Sequence, residues 1–227
     1  MKAMILAAGR GERMRPLTDT LPKPLMEVAG QPLIFYHLHA LERAGVQEVV
    51  INVCHLSEQI IAKVQQYATR LNIHFSREET LLGTGGGIVK ALPLLGDAPF
   101  MVISADIWTD YPLEKLPKNL PGMGHLVMVD NPPFHPKGDF HLASDGKVLL
   151  SDAKKLTYAN VGMFSPALFQ GEWPLSFELR QSFDVAIAQN KMTGEHYHGK
   201  WENIGTLAQL ESLNQKLTAG EVYAGNR

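Results

Sequence analysis

Residues 2–25 read KAMILAAGRGERMRPLTDTLPKPL, and the reading of the whole chain turns on this stretch. Ala3 to Ala7 is a short apolar run that predicts a buried strand. Ala8, Gly9 and Gly11 follow at once, with Arg10, Arg13 and Arg15 interleaved. Glycine lets a backbone turn sharply and approach a ligand closely. Successive exposed N–H groups in such a loop make a concave anion site, and Arg13 adds a planar donor fork suited to phosphate. Lys23 stands between Pro22 and Pro24, which predict a stiff, extended backbone and hence a fixed point charge. A glycine-rich loop after a strand is a weak signal taken alone, because many such loops bind nothing.

The chain has 227 residues, enough for one sizeable core as a single domain or a domain with a small lobe. Hydrophobic residues make up 45% and charged residues 19%, ordinary values for a soluble globular enzyme. A net charge of −2 predicts no general attraction to nucleic acid or to an anionic membrane. No apolar run approaches the ~20 residues a membrane span needs, and the N-terminus enters a strand with no cleavable-signal pattern. Cys54 is the only cysteine, so no intramolecular disulfide can form, which fits a reducing cytoplasm. A buried, apolar role is expected for it.

Beyond Leu25, Pro32 is expected to open a helix with Ile34, Leu38 and Leu41 on one face and Gly45 as its stop. Val49 to Val53 predicts a second strand. Ser57 is the expected cap of a helix carrying Ile60, Val64, Tyr67 and Leu71. Ile73 to Ser76 predicts a third strand, and Gly85 to Gly87 lead into an expected helix from Ile88 to Leu95. Phe100 to Ser104 predicts a central strand ending at Ala105-Asp106, and Leu126 to Val129 another. A Pro-rich loop from Asn131 to Phe140 precedes an expected hairpin around Asp145-Gly146. Helices are expected over Phe177 to Asn190 and Leu207 to Leu217. The strand–helix alternation predicts a parallel sheet with helices on both faces. Ligands of such sheets bind beyond the carboxyl ends of the strands, where the glycine-rich loop lies.

The string LAAGRGERMRPLTDTLPKPL resembles the N-terminal motif of the sugar-1-phosphate nucleotidyltransferases, the NDP-sugar pyrophosphorylases. Gly9, Gly11, Arg13, Pro16, Thr18, Pro22, Lys23 and Pro24 all stand at that motif's spacing. The resemblance continues to about Leu217. It implies an α/β fold with a Rossmann-like, mostly parallel central sheet, helices on both faces and a small sugar-binding β lobe. It implies one domain over 1–227, with a nucleotide half near 1–110 and a sugar-side half near 111–227.

By the same resemblance Ala7, Ala8, Gly9, Gly11 and Arg13 hold the nucleotide, with Glu78, Gly83 and Gly85 near its base. A carboxylate at 78 accepts from the imide of uracil or guanine but not from adenine N1. Asp106 is the implied Mg²⁺ ligand. Asn203 stands where the family has its second carboxylate, and an amide oxygen is a weaker donor to Mg²⁺. The implied catalytic set is Arg13, Lys23 and Asp106. Ile107-Trp108-Thr109-Asp110-Tyr111 and the Asn131–Phe140 loop resemble the branch that acts on N-acetylmuramate-1-phosphate, so Asn131, Gly138 and Asp139 are sugar-side candidates; Asn160 joins them because Tyr158 to Phe164 resembles a family strand in which a glycine at that place faces the sugar. For Asn131, Gly138 and Asp139 a purely structural turn is an equal alternative. A packing or surface role is expected for His135.

The implied reaction joins an NTP and a sugar 1-phosphate into an NDP-sugar and pyrophosphate with Mg²⁺ as cofactor, UTP and N-acetylmuramate-1-phosphate being favoured. Guanylyl transfer to mannose-1-phosphate, cytidylyl transfer to phosphocholine, and a nucleotide-binding homologue with little turnover remain open. The sequence leaves the oligomeric state undetermined.

Overall fold

The apolar runs become strands of one sheet, and the periodic segments become the helices that cover it. The structure, a computed structural model, describes residues 1–151 and 153–219; residues 220–227 of the expected sugar-side half lie outside the described residues. In chain order the elements are β1 (Lys2–Leu6), β2 (Glu27–Val28), β3 (Gln31–Pro32), α1 (Leu33–Arg43), β4 (Glu48–Val53), α2 (Ser57–Gln65), β5 (Asn72–Arg77), α3 (Gly83–Leu95) and β6 (Phe100–Ser104). Then come β7 (Ile107–Thr109), β8 (Gly124–Val129), β9 (His141–Leu142), β10 (Val148–Leu149), β11 (Thr157–Phe164), α4 (Leu179–Ala188), β12 (Met192–His196), β13 (Trp201–Asn203) and α5 (Leu207–Thr218). Seven strands form the main sheet in the order β12-β8-β11-β6-β1-β4-β5. Every pairing in it is parallel except those of β11 with β6 and β8.

Side chains alternate across each strand, so both faces of the sheet must be covered. Ala3 and Ile5 of β1 share a core with Ile34, Leu38 and Leu41 of α1 and with Ile60 and Val64 of α2. Met4, between them, packs with Ile88, Ala91 and Leu95 of α3 and with Phe183 and Ile187 of α4 on the opposite face. Leu210, Leu213 and Leu217 of α5 close a third cluster around Met14, Met26 and Trp108, which anchors the segment after the glycine-rich loop. The expected hairpin at Asp145-Gly146 is β9–β10, and β7 pairs with β13 in a separate ribbon.

Several local expectations are corrected. Pro32 precedes α1 rather than opening it. The Ser57 hydroxyl makes no cap: Leu56, in the left-handed region, is the N-cap of α2 and no side chain bonds there. That helix ends at Gln65, so Tyr67 and Leu71 meet the core from the turn beyond it. Lys23 opens a 3₁₀ turn, Lys23–Leu25, instead of running extended. Stiffness survives, because Leu25 and Met26 donate backbone bonds to the Pro22 and Lys23 carbonyls. Cys54 is only half-buried, and that partial burial pushes its thiol pKa up.

The largest correction concerns Gly85 to Gly87, which lie inside α3 rather than ahead of it. They make room for other parts of the protein. A Cβ on Gly85 would stand 2.3 Å from the Phe177 ring, and one on Gly87 would stand 2.7 Å from the Asn52 amide. Alanine gains about 1 kcal/mol of helix propensity over glycine, but overpacking of this kind costs about 1–3 kcal/mol. Gly85→Ala should therefore lower the denaturant midpoint despite the better helix former. An unchanged midpoint would show that the Phe177 ring moves aside freely.

Candidate active site

The carboxyl ends of β1, β4, β5 and β6 lie side by side and carry a connected set of polar groups. After β1 the backbone turns through Gly11, whose φ of +66° suits glycine, and a Cβ there would meet the Thr18 methyl at 2.8 Å. Thr18 is buried beneath that turn and donates its hydroxyl to the Gly11 carbonyl at 3.0 Å. The Ala7 N–H donates to Asn52 Oδ1 at 2.9 Å, and Asn52 Nδ2 donates to Glu78 Oε1 at 2.7 Å. Leu82 N–H donates to the other Glu78 oxygen at 3.2 Å. This buried chain ties three adjacent strand ends to the start of α3. Each carboxylate oxygen of Glu78 thus accepts one internal bond while the residue lines the floor of the cleft.

Asp106 follows β6 and sits opposite Lys23. Lys23 Nζ lies 2.8 Å from Asp106 Oδ2, with the two side chains 9% and 37% exposed. A cation as buried as this one must be paired, so the lysine charge is held at the cleft wall by the carboxylate. Beneath them, buried His37 of α1 faces the backbone at Ala105 and Ile107, and its Nε2 has no hydrogen-bond partner among the described residues. Burial pushes its imidazole pKa down to about 4, and the Asp106 charge only partly offsets this, so it is neutral at neutral pH. Arg13 comes from the 3₁₀ turn Glu12–Met14 and reaches across to Gly205, where a Cβ would lie 2.8 Å from its guanidinium. Among the described residues Arg13 has no hydrogen-bond or ion-pair partner. Asn203 stands beside Asp106, because it pairs with Ile107 across the β7–β13 ladder and Ile204 N–H donates to the Asp106 carbonyl at 2.8 Å.

Two cavities meet at this point. The first, about 670 Å³, is lined by Ala7, Ala8, Gly9, Gly11, Lys23, Glu78 and Gly83. Gly85 does not line it, since its open side is filled by Phe177. The second, about 420 Å³, holds His135, Asp139, Asn160, Arg180 and Asn203. Arg13, Thr84, Ser104, Asp106 and Glu178 line both. Asn160 reaches the second cavity because β11 shifts register between Tyr158 and Gly162, with Asn160 at φ +58°. Asp139 accepts from the Tyr158 N–H at 2.8 Å and lies 3.1 Å from His135 Nε2.

Asn131 and Gly138 stand outside both linings. The Asn131 amide donates to the Pro136 and Lys155 carbonyls and accepts from the Thr157 hydroxyl. Gly138 has φ +63°, and a Cβ on it would press on Asn131 at 2.6 Å. Both are spent on holding the Pro-rich loop. His135, expected to be a surface or packing residue, lines the second cavity.

Sequence reasoning missed Asn52, Ser176, Glu178 and Arg180. Phe177 anchors the segment that carries Ser176 and Glu178: its carbonyl accepts from Gly85 and Gly86, and its N–H donates to Leu82. Thr84 donates to Glu178 Oε2 at 2.8 Å and accepts from Leu179 N–H. The glycines of α3 were the one available signal, because a helix start this bare implies something packed against it.

A family model described as nucleotidyl transferase matches residues 2–136. The chain is 44% identical to N-acetylmuramate alpha-1-phosphate uridylyltransferase of Neisseria meningitidis serogroup B, over 93% of this chain and 96% of that protein. It is 30% identical to mannose-1-phosphate guanylyltransferase catalytic subunit beta of Danio rerio, over 100% of this chain and 70% of that one. In fold it is similar to the crystal structure of HddC from Yersinia pseudotuberculosis complexed with GMP-PN, with a TM-score of 0.78, 19% identity, and 95% and 99% of the two chains covered. The structure of a putative glucose-1-phosphate thymidylyltransferase from Bacillus anthracis superposes with a TM-score of 0.82 at 15% identity, covering 95% of this chain and 94% of that one.

Proposed function

The chain belongs to the nucleotidyl transferase family, and from that premise we propose that it transfers a uridylyl group from UTP to N-acetylmuramate 1-phosphate, releasing pyrophosphate. The observation that carries this reading is the junction of two cavities at Arg13 and Asp106, with Lys23 on the wall of the first. One cavity is walled by the glycine-rich loop and buried Glu78, the other by polar groups of the Asn131–Phe140 loop and α4. Residues of about 1–110 serve mainly the nucleotide and those beyond mainly the sugar, although Glu178 and Gly205 also line the nucleotide side. A reducing cytoplasm suits the single thiol, and peptidoglycan recycling is where a muramate 1-phosphate arises.

In this reading an oxygen of the sugar phosphate attacks the α-phosphorus in line, and the β,γ-pyrophosphate leaves. The protein supplies position and charge rather than a covalent nucleophile. Backbone N–H groups from Ala8 to Gly11 and the unpaired Arg13 fork hold the leaving phosphates. Lys23 offsets charge on the attacking phosphate and the α-phosphate. Asp106 offers a carboxylate and the adjacent Asn203 an amide oxygen, a hard donor set that would fit Mg²⁺. Mg²⁺ held there would supply charge neutralisation to the reacting phosphates.

The acceptor carries a lactyl carboxylate that other sugar phosphates lack, and Arg180 answers it. Arg180 lines the second cavity with its guanidinium 4.1 Å above the Phe140 ring, held by Asp184 at 2.6 Å. A hydrogen bond to a charged group contributes about 1.5–3 kcal/mol. Arg180→Gln should therefore raise KM for N-acetylmuramate 1-phosphate by roughly ten- to a hundredfold, while KM for N-acetylglucosamine 1-phosphate changes little. Equal losses on both acceptors would place Arg180 in the packing of the cavity wall instead. The proposal as a whole is tested by pyrophosphate release from a matrix of four NTPs against these acceptors, mannose 1-phosphate and phosphocholine. UTP with N-acetylmuramate 1-phosphate should be the best pair, and a clear preference for GTP with mannose 1-phosphate would overturn it.

A further inference from the structure

We infer that Asp130, His196 and His198 form a second cation site, built for a borderline transition metal such as Zn²⁺ and separate from the Asp106 cleft. One ligand atom from each residue lies within 4.8 Å of the other two. The placement follows from the sheet. Asp130 comes directly after β8, His196 ends β12, and the two strands pair in parallel with His196 opposite Met128. Side chains two apart on an extended chain point the same way, so His196 and His198 share a face. Tyr197, between them, turns away to bond the Asp110 carboxylate and stack edge-on against Tyr111. None of the three metal-site residues lines either cavity of the cleft.

The three donor groups are clustered on one face. His196 Nε2 lies 3.1 Å from Asp130 Oδ1, and the two imidazole rings stand 3.9 Å apart at 48°. Metal bonds of about 2.0–2.2 Å set ligand-to-ligand edges of roughly 3.3–3.6 Å in a tetrahedral shell, so the 3.1 Å pair has to open by a few tenths of an ångström to admit the ion. His196 Nε2 is shielded from solvent yet makes no hydrogen bond, despite its closeness to the carboxylate. A shielded ring nitrogen with no hydrogen bond costs free energy, and a cation held between it and the nearby carboxylate removes that cost. Two imidazoles and one carboxylate suit Zn²⁺, Co²⁺, Ni²⁺ or Cu²⁺, whereas Mg²⁺ prefers an all-oxygen shell. Asp130 and His198 are exposed, which leaves an open fourth position for water. Asp130 also directly precedes Asn131, the clamp of the loop that carries His135 and Asp139. A bound ion therefore ties the base of that loop to the edge strand β12.

The test is Zn²⁺ titration of the untagged full chain by calorimetry with Mg²⁺ present, with bound metal counted after gel filtration. One Zn²⁺ per chain is expected. The stoichiometric ion should be lost in the double variant His196→Gln/His198→Gln and retained in Asp106→Asn. Far-ultraviolet circular dichroism and the melting temperature without metal check that the double variant is folded, and Asp130→Asn, at an exposed position, repeats the measurement without touching either ring. Stoichiometric binding that survives in both variants, binding lost in Asp106→Asn, or no stoichiometric binding at all would overturn the inference.

Discussion

Asp106→Asn should lower kcat/KM by about three decades, near 4 kcal/mol of transition-state stabilisation. The carboxylate has two tasks at the junction of the cavities. It stands beside Asn203, where the proposed hard cation would sit, and it pins the Lys23 ammonium at 2.8 Å. An amide keeps the shape but removes the charge from both. Lys23 is nearly buried, so losing its counter-charge also leaves an expensive unpaired cation whenever substrate is absent. Stability should fall along with activity, but by far less than the rate, because nucleotide phosphates restore a partner for the lysine. The companion change is Asn203→Asp, next to Asp106 across the β7–β13 ladder. A second carboxylate should lower the Mg²⁺ concentration for half-maximal rate, since this cation favours carboxylate over amide oxygen. Full activity in Asp106→Asn, or an unchanged Mg²⁺ dependence in Asn203→Asp, would place the metal elsewhere.

How far the fold could be read from the chain depended on whether the signal was local. Phe100–Ser104 was legible to the residue because a strand buried on both faces must be apolar throughout and stops where a polar site begins. The stop of α1 at Gly45 was equally local: the φ of +75° and the Val46 N–H donating to the Leu41 carbonyl are a helix-end motif that glycine favours. The glycines of α3 misled, because their reason lies about ninety residues away in Phe177. Lys23 misled in the same way. Flanking prolines predict extension, yet the 3₁₀ turn aims its ammonium at an Asp far along the chain.

The candidate site shows the same division. Arg13, Asp106 and Glu78 lie within strings whose spacing carries information, and they line the cleft together. Asn52, inside a strand, reads as an ordinary polar interruption until the Ala7 N–H and Glu78 are brought to either side of it. Glu178 and Arg180 sit at the start of α4, where a charged residue signals only a solvated helix end. They reach the cleft because Phe177 docks that segment on α3, a contact that no local pattern encodes.

Arg13→Ala should lower kcat/KM by about two to three decades while leaving the melting temperature nearly unchanged. The two halves of this prediction have separate grounds. Stability should hold because Arg13 is exposed and has no hydrogen-bond or ion-pair partner among the described residues, so truncation breaks nothing in the free protein. Activity should fall because an unpaired guanidinium at the meeting point of two cavities supplies charge where phosphate charge gathers in the transition state. Arg13→Lys keeps the charge but loses the planar fork, and should recover only part of the rate. Geometry offers a further variant that leaves the arginine intact. A Cβ on Gly205 would stand 2.8 Å from the guanidinium, so Gly205→Ala should push the fork out of place and lower kcat/KM in the same direction. The decisive readout is the split between kcat and KM. A transition-state contact lowers kcat, whereas a contact made equally in the ground state raises only KM for the nucleotide. Near-normal kcat in both Arg13→Ala and Gly205→Ala would remove this arginine from the chemistry and leave the phosphates to the loop backbone and Lys23.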